Sequence, residues 1–421
     1  LLETTRLPLR DEPYHLHVEL ARSRLMRISL KREEWGLFDY PGVEELSAEI
    51  DSARDLFVKA LQHQDQPLEA ARFADESLAI SLRAAERLCR FHASVFLARR
   101  QKSGGLPKRF LGVGAPRTEP NAALMERLRG TFGFVRLPTV WRQIQPKEQG
   151  ISYARQDAWV KACAAAKVPV RGGPLLHFGV RSVPDWMYIW ENDYDTILDY
   201  AREHVRRTVK RFAGKITSWD VVSGLHASNV FDFTVEQVID LTRMAADVAK
   251  ELAPRSQIIL DLTQPWGEYY ARNQRTIPPL LYADMMVQSG VSFDAFGLEF
   301  LFGHDGYHVR DLFKISSLID RLANLGKPLH VSAVTCPSGG NSGVQPSGGG
   351  QWHAPWSDEI QAEFMIAFLE VALSKPYVES VCLAELADGP DMLIPTGGVL
   401  REDLSPKAAV AALNEFVARV K

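Results

Sequence analysis

The sequence predicts an α/β fold: a (β/α)8 TIM barrel preceded by an α-helical N-terminal extension. From residue 110 onward, short apolar segments alternate with amphipathic helical segments, which is the pattern of parallel βα units. We count eight such units, and a TIM barrel takes about 250 residues before insertions. The active face of this barrel is expected at the C-terminal ends of its strands.

The predicted strands are apolar runs bounded by turn residues. They cover residues 110–114, 133–138, 168–176, 217–224, 257–264, 295–302, 328–334 and 380–388. Helices with apolar positions three and four residues apart are predicted between them, for example over 235–252, 309–325 and 360–374. The loop 335–356 is long and rich in Gly and Ser, which is typical of a functional loop on the active face.

The segment before the barrel has a different pattern. Residues 1–101 are predicted to be a helical region, with a short strand at 13–18 and long helices that include an antiparallel pair over 43–63 and 67–100. Residues 102–109 are predicted to be a linker, and 110–421 the barrel. Because a lone strand is unstable, the start of the chain is interpreted as the tail of a larger module. The helices also offer a surface for homo-oligomerisation.

Composition narrows the classes of partner. The chain carries 49 basic and 52 acidic residues, a formal net charge of −3, so no nucleic-acid partner is predicted. No apolar run approaches the ~18 residues that cross a bilayer, so no membrane partner is predicted. The four cysteines show no C-x-x-C spacing, which favours buried free thiols over a zinc ribbon or a disulfide framework.

The fourth and seventh predicted strands carry runs that resemble catalytic strands of glycoside hydrolase family 10, the xylanase-like barrels of clan A. The run WDVVSG at 219–224 resembles the family's WDVVNE, whose final Glu is the general acid/base. That place is Gly224, and the place of the nucleophile Glu in the run 326–334 is Ala333. Retaining hydrolysis needs two carboxyl groups about 5 Å apart. The resemblance therefore implies that this mechanism is lost.

The resemblance extends to residues that hold sugar. On strand two, one of the family's polar sugar ligands corresponds to Arg136, while Trp141 keeps the family's place. On strand three, an inward His corresponds to Gly173 and a Trp to His177. These changes imply lost hydrogen bonds to the innermost sugar, and a buried hydroxyl without a partner costs about 1–3 kcal/mol.

Two carboxylates stand at or beside places that the family leaves uncharged, Glu299 on strand six and Glu385 on strand eight. A Glu that faces inward at the barrel top is a candidate acid, because burial raises its pKa. The alternative is a structural ion pair with Arg136 or Arg171. Asp220, within the 219–224 run, is expected to support the site by hydrogen bonds.

Other residues near the strand ends are candidates for ligand contact. Trp266, in an aromatic cluster with neighbouring tyrosines, either stacks on a sugar or caps the barrel, and Trp352 is a further stacking candidate. His177, His226, His304 and His353 show no ligand spacing, so no metal site is predicted. No Gly-rich phosphate loop is present, and no cofactor is predicted.

Three functions stay open. The first is a pseudo-glycosidase that binds a β-linked glycan without hydrolysing it, through Arg136, Trp141, His177, Trp266, Glu268 and Trp352. The second is a glycoside-active enzyme with rebuilt carboxylates, Glu299 with Glu385, Asp261 or Glu268. The third is a scaffold that assembles through its helical arm. Fold alone does not choose among them. The residues do not specify a compartment, and only the resemblance suggests an extracellular or periplasmic one.

Overall fold

The architecture is a closed parallel barrel, seen in a computed structural model that describes residues 2–303, 307–339 and 349–420. Each strand pairs in parallel with the next, and the first pairs with the eighth. The predicted (β/α)8 fold is confirmed. The strands are β1 Leu111–Gly114, β2 Phe134–Leu137, β3 Val170–Gly172, β4 Ile216–Ser223, β5 Gln257–Thr263, β6 Ala295–Leu301, β7 Leu329–Thr335 and β8 Val378–Leu383.

Helices precede the barrel and connect its strands. They are α1 Leu16–Glu34, α2 Glu44–Gln62, α3 Pro67–Lys102, α4 Ala122–Thr131, α5 Trp141–Ile144, α6 Ala154–Ala165, α7 Tyr194–Phe212, α8 Val235–Leu252, α9 Tyr269–Arg272, α10 Pro279–Gln288, α11 Leu312–Ala323, α12 Asp358–Ser374 and α13 Ala408–Val420. A 3-10 helix, Asp185–Trp190, precedes α7. Capping residues define several starts: Thr234 and Gln237 form a reciprocal capping box at α8.

The third strand is shorter than the sequence predicts. The prediction covers 168–176, but β3 ends at Gly172 because Gly173 has a φ of 127° and Pro174 has no N–H for the ladder. The chain nevertheless continues along β4, where the amide of Leu175 donates to the carbonyl of Asp220 over 2.8 Å. This extension leads the backbone onward to His177 at the top of the barrel.

The N-terminal unit contains residues 1–99 together with 310–317. The strand predicted at 13–18 is wrong: this segment leads into α1, and the amide of Glu19 donates to the carbonyl of His15. The physical reason is packing. Val18 and Ala21, three positions apart on one helical face, are buried in a core that α2 and α3 complete with Ala60 and other small residues.

Residues 310–317 include the first turns of α11 and make polar contacts with the rest of this unit. The amide of Leu312 donates to Glu86 over 3.0 Å, and Arg24 lies 3.2 Å from Asp311. The barrel unit contains residues 100–309 and 318–421. The linker at 102–109, the upstream module and oligomerisation through the helices stay predictions.

All four cysteines are buried and free, which confirms that prediction. Within the described residues, every helix falls short of the length and apolarity required of a membrane span.

Candidate functional site

A layer of charged and hydroxyl side chains crosses the barrel interior, where TIM barrels usually carry branched apolar residues. Six consecutive strands each contribute one residue. In order from β2 to β7, these are Arg136, Arg171, Asp220, Asp261, Glu299 and Ser332. We call this set the barrel network.

Asp220 is the centre of the barrel network. Its Oδ2 accepts from Nε of Arg136 over 2.8 Å, and its Oδ1 lies 2.6 Å from the guanidinium of Arg171. The carboxylate is fully buried, with no exposed side-chain surface. Two cations thus neutralise a charge that would otherwise be strongly unfavourable in the interior.

Arg136 connects three carboxylates. Besides Asp220, its Nη2 lies 3.2 Å from Oδ2 of Asp261 and 3.4 Å from Oε1 of Glu299. Burial alone would lower the pKa of Arg136, but the three carboxylates together raise it above its ordinary value. This side chain, predicted as a sugar ligand, is therefore already engaged in ion pairs.

Asp261 accepts a hydrogen bond from Ser332 of β7 and lies near the carboxylate of Asp220. The hydroxyl of Ser332 donates to Oδ1 of Asp261 and itself accepts from Nη2 of Arg171 over 2.7 Å. Burial, followed by the charge of Asp220, raises the pKa of Asp261 well above its ordinary value. Asp261 lies inside the barrel network and does not line the cleft described next.

A cleft of about 250 Å³ lies at the C-terminal ends of the strands. We call it the barrel-top cleft. Glu299 lines it with 12% of its side chain exposed, and its Oε2 accepts from Ser223 over 3.2 Å. Glu299 thus forms the ion pair with Arg136 that was one alternative, and it also borders the cleft. Arg171, the other suggested partner, pairs with Asp220 instead.

Glu385 lines the same cleft, just after β8. Burial raises its pKa to about 7, against the lowering effect of Arg117, Arg136 and Arg155. Within the described part of the chain, its carboxyl group makes no hydrogen bond or ion pair. The structure therefore brings both candidate carboxyl groups to one cleft, with Ala333 in its lining.

Gly224 follows directly after β4 and lies against His177. Its φ is 71°, and a Cβ atom placed on it would be 3.2 Å from both Cδ2 of His177 and Cγ2 of Thr263. The imidazole is anchored by a 2.7 Å hydrogen bond between Nδ1 and the hydroxyl of Ser182. Burial lowers the pKa of His177, which favours the neutral ring.

The predicted aromatic platforms lie away from the barrel-top cleft. Trp141 is 4% exposed and stacks on His204 with ring centroids 4.6 Å apart. Trp352 is 3% exposed and stacks on His353. Trp266 is half-buried beside Phe300 of β6, so part of its surface is accessible to a ligand.

The remaining candidates are dispersed. Glu268 is half-buried at the start of α9 and does not line the barrel-top cleft. His226 is buried and stacks on Tyr282. His304 lies outside the described residues. Across residues 2–303, 307–339 and 349–420, no group of three His, Cys, Asp or Glu side chains has an arrangement suited to a metal ion.

Several residues of the site were not predicted from the sequence. Ser223 and Ser332 hold two of the carboxylates, and Arg155 lines the barrel-top cleft. Gly297 leaves the space that the Asp261 carboxylate and the Ser332 hydroxyl occupy, because a Cβ atom there would overlap both. A polar residue at an inward position of each successive strand was the available signal.

A family model described as glycosyl hydrolase family 10 matches residues 138–389, more than half of the chain. Endo-1,4-beta-xylanase A of Caldicellulosiruptor sp. (strain Rt8B.4) is 29% identical over 90 residues, 19% of this chain and 13% of that protein. Endo-1,4-beta-xylanase C of Paenibacillus barcinonensis is 22% identical over 242 residues, 52% of this chain and 21% of that protein. The chain thus matches only a small part of either relative's length.

Solved structures share the fold. Xylanase 10B of Thermotoga maritima is 18% identical, with a TM-score of 0.56 over 77% of this chain and 97% of that chain. GH10 of Paenibacillus barcinonensis is 22% identical, with a TM-score of 0.57 over the same shares. Xylanase 10B of Thermotoga petrophila RKU-1, in complex with xylobiose, is 18% identical, with a TM-score of 0.56 over 77% and 96%.

Proposed function

Because the chain belongs to glycosyl hydrolase family 10, we propose that it binds a short β-linked glycan in the barrel-top cleft and does not hydrolyse it by the family's retaining mechanism. Membership agrees with the resemblance found in the sequence. The curated relatives are endo-1,4-beta-xylanases, so a xylo-oligosaccharide is the first ligand to test.

The relationship between Gly224 and His177 is the observation that carries the proposal. The place that corresponds to the acid/base has no side chain, and the neighbouring space holds an anchored imidazole. The place that corresponds to the nucleophile is Ala333, which is 3% exposed. Two carboxyl groups about 5 Å apart are the minimum for retention, and neither place supplies one.

The lining of the cleft supports ligand binding. Glu385 and Arg155 face the same space as the partly exposed Glu299, which offers both acceptors and donors to sugar hydroxyls. The volume of about 250 Å³ is slightly below the usual ~300–1,000 Å³ of small-molecule sites, which favours a short ligand. Xylobiose, the ligand of one structural neighbour, is therefore a suitable probe.

Calorimetric titration with xylobiose tests binding, alongside assays on xylan and an aryl xyloside. Ala333→Trp should fill the cleft and abolish the heat of binding, whereas Ala411→Trp, on the exposed surface of α13, should leave it unchanged. Turnover within a hundredfold of a family xylanase assayed in parallel would overturn the loss of hydrolysis. Equal binding by the two variants would place the glycan elsewhere.

The environment of Glu385 favours a second candidate function, in which the protein is a glycosidase that uses carboxyl groups at new positions. The Glu385 pKa of about 7 suits a general acid at neutral pH, and Glu299 lines the same cleft. On this hypothesis, hydrolysis of some glycoside should fall as the pH rises through about 7. Glu385→Gln and Glu299→Gln should each abolish it, while full activity in either variant would exclude the pair.

A further inference from the structure

A second cleft, of about 580 Å³, lies at the opposite end of the barrel, where the strands begin. We call it the lower cleft. Six strands line it with their first or second residue: Phe134, Arg171, Thr217, Gln257, His330 and Glu379. Its volume falls within the usual ~300–1,000 Å³ of small-molecule sites, although active sites of such barrels lie at the other end.

Positive charge predominates in the lower cleft. The described residues of its lining include Arg100, Arg109 and Arg171, against the single carboxylate of Glu379. Arg171 is neutralised from within the barrel by Asp220, whose Oδ1 lies 2.6 Å from its guanidinium. The other two arginines have no carboxylate within 4.0 Å among the described residues. The cleft therefore has an excess of cationic groups.

Arg100 is fixed in place by neutral groups. Its guanidinium donates to the carbonyls of Leu373, Lys375 and Val378 over 2.7–3.1 Å. Carbonyls at the end of α12 favour a cation but carry only partial charge. Burial lowers the pKa of Arg100, which reflects the cost of holding a charged group there. A bound anion would offset this cost.

His330 forms part of the buried wall of the lower cleft, with 7% of its side chain exposed. Its Nδ1 lies 2.8 Å from the hydroxyl of Ser380. Its Nε2 lies 3.2 Å from Oε2 of Glu379, and Gln257 donates to the same carboxylate oxygen. The carboxylate of Glu379 is therefore already engaged by His330 and Gln257.

We propose that the lower cleft binds a small organic anion whose carboxylate or phosphate group is held by Arg100 and Arg109. Arginine is suited to both groups because its planar guanidinium donates two parallel hydrogen bonds. Arg100 is already ordered by the carbonyls, so little side-chain entropy is lost there on binding. The rest of the ligand would occupy the space between the strand starts. This site is independent of glycan binding at the barrel top.

Calorimetric titration of the full chain at low salt tests the lower cleft with three probes of similar size: glucuronate, glucose 6-phosphate and glucose. We expect at least one anion to bind and glucose not to bind. Binding of glucuronate alone assigns a carboxylate ligand, and binding of glucose 6-phosphate alone assigns a phosphorylated one. Added salt should weaken binding, because it screens the arginines.

Arg109→Ala is the decisive variant, since Arg109 is exposed and its loss should not affect folding. Loss of one charged contact should weaken anion binding about tenfold. Arg129→Ala, at another exposed arginine of the barrel unit, is the matched control and should leave binding unchanged. Glu379→Gln should tighten binding, because it removes the one carboxylate that the described part of the chain contributes to the cleft.

Two controls locate the bound anion. Ala333→Trp, which fills the barrel-top cleft, should not alter anion binding, and circular dichroism should verify that each variant is folded. The proposal is overturned if neither anion binds, if Arg109→Ala binds as tightly as Arg129→Ala, or if Ala333→Trp abolishes the binding. Each of these results leaves glycan binding at the barrel top to be judged by its own titration.

Discussion

Gly224 lies directly against His177 at the end of β4: a Cβ atom on the glycine would lie 3.2 Å from Cδ2 of the imidazole. The glycine also has a φ of 71°, a left-handed conformation that L side chains rarely adopt. A larger residue at position 224 therefore requires both a strained backbone and movement of the ring.

Gly224→Glu should lower the free energy of unfolding by about 1–2 kcal/mol through backbone strain alone. Combined with Ala333→Glu, it should not restore xylanase-level hydrolysis, because a side chain at 224 is crowded by His177 and because Arg136, which we propose takes the place of a sugar ligand on β2, is engaged in ion pairs. Urea denaturation and xylan assays check both statements. Gly224→Ala is the control for strain, and a double variant as active as a xylanase would contradict the prediction.

Arg136→Met should destabilise the barrel by about 3–5 kcal/mol, because it removes a cation from buried carboxylates and leaves Asp220 and Asp261 with only Arg171. The decrease in the free energy of unfolding should be largest at neutral pH and smaller at acidic pH. Asp261 already has a raised pKa, so lowering the pH protonates it and removes one of the unpaired charges. Denaturation at pH 5 and pH 8 measures this. Arg202→Ala, which breaks an exposed pair with Asp199, should cost at most about 1 kcal/mol.

Glu385→Gln should stabilise the fold above neutral pH. In the folded chain the pKa of Glu385 is raised from 4.5 to about 7. The free energy of unfolding of the natural chain therefore falls as the pH rises from 4.5 to about 7, and stays at the lower value above that pH. At 1.36 kcal/mol per pKa unit, the gain at pH 8 is at most about 3 kcal/mol. Denaturation at pH 4.5 and pH 8 checks it. Glu415→Gln, on the exposed face of α13, is the matched surface control.

Trp141→Ala should lower the stability of the fold and not act through a direct contact with the ligand. The ring is 4% exposed and stacked on His204, so its truncation should lower the free energy of unfolding by about 3–5 kcal/mol. Trp266→Ala, at a half-buried ring, should cost less and weaken the binding of oligosaccharides longer than xylobiose. Denaturation and titration with xylohexaose separate the two effects. Equal loss of stability in both variants would contradict this assignment.

The barrel could be predicted from the sequence, because hydrophobic periodicity is a local property and eight repeats of it leave one closed arrangement. The sequence also placed Glu299 and Glu385 at the top of their strands. It failed at residues 13–18, where alternation suggested a strand. A strand needs partners from elsewhere in the chain, whereas a helix needs only a face to bury, and α2 and α3 supplied that face.

The partners of the buried charges could not be predicted from the sequence, because they depend on how the strands come together. Arg136 could have contacted a sugar, yet closure of the barrel directs carboxylates from β4, β5 and β6 to it. Among the described residues Glu385 has no ion pair, because Arg117, Arg136 and Arg155 all lie beyond ion-pairing distance of its carboxylate. Spacing along one strand cannot reveal such partners, because the interaction between buried charges depends on distances of a few ångströms set by the register of neighbouring strands.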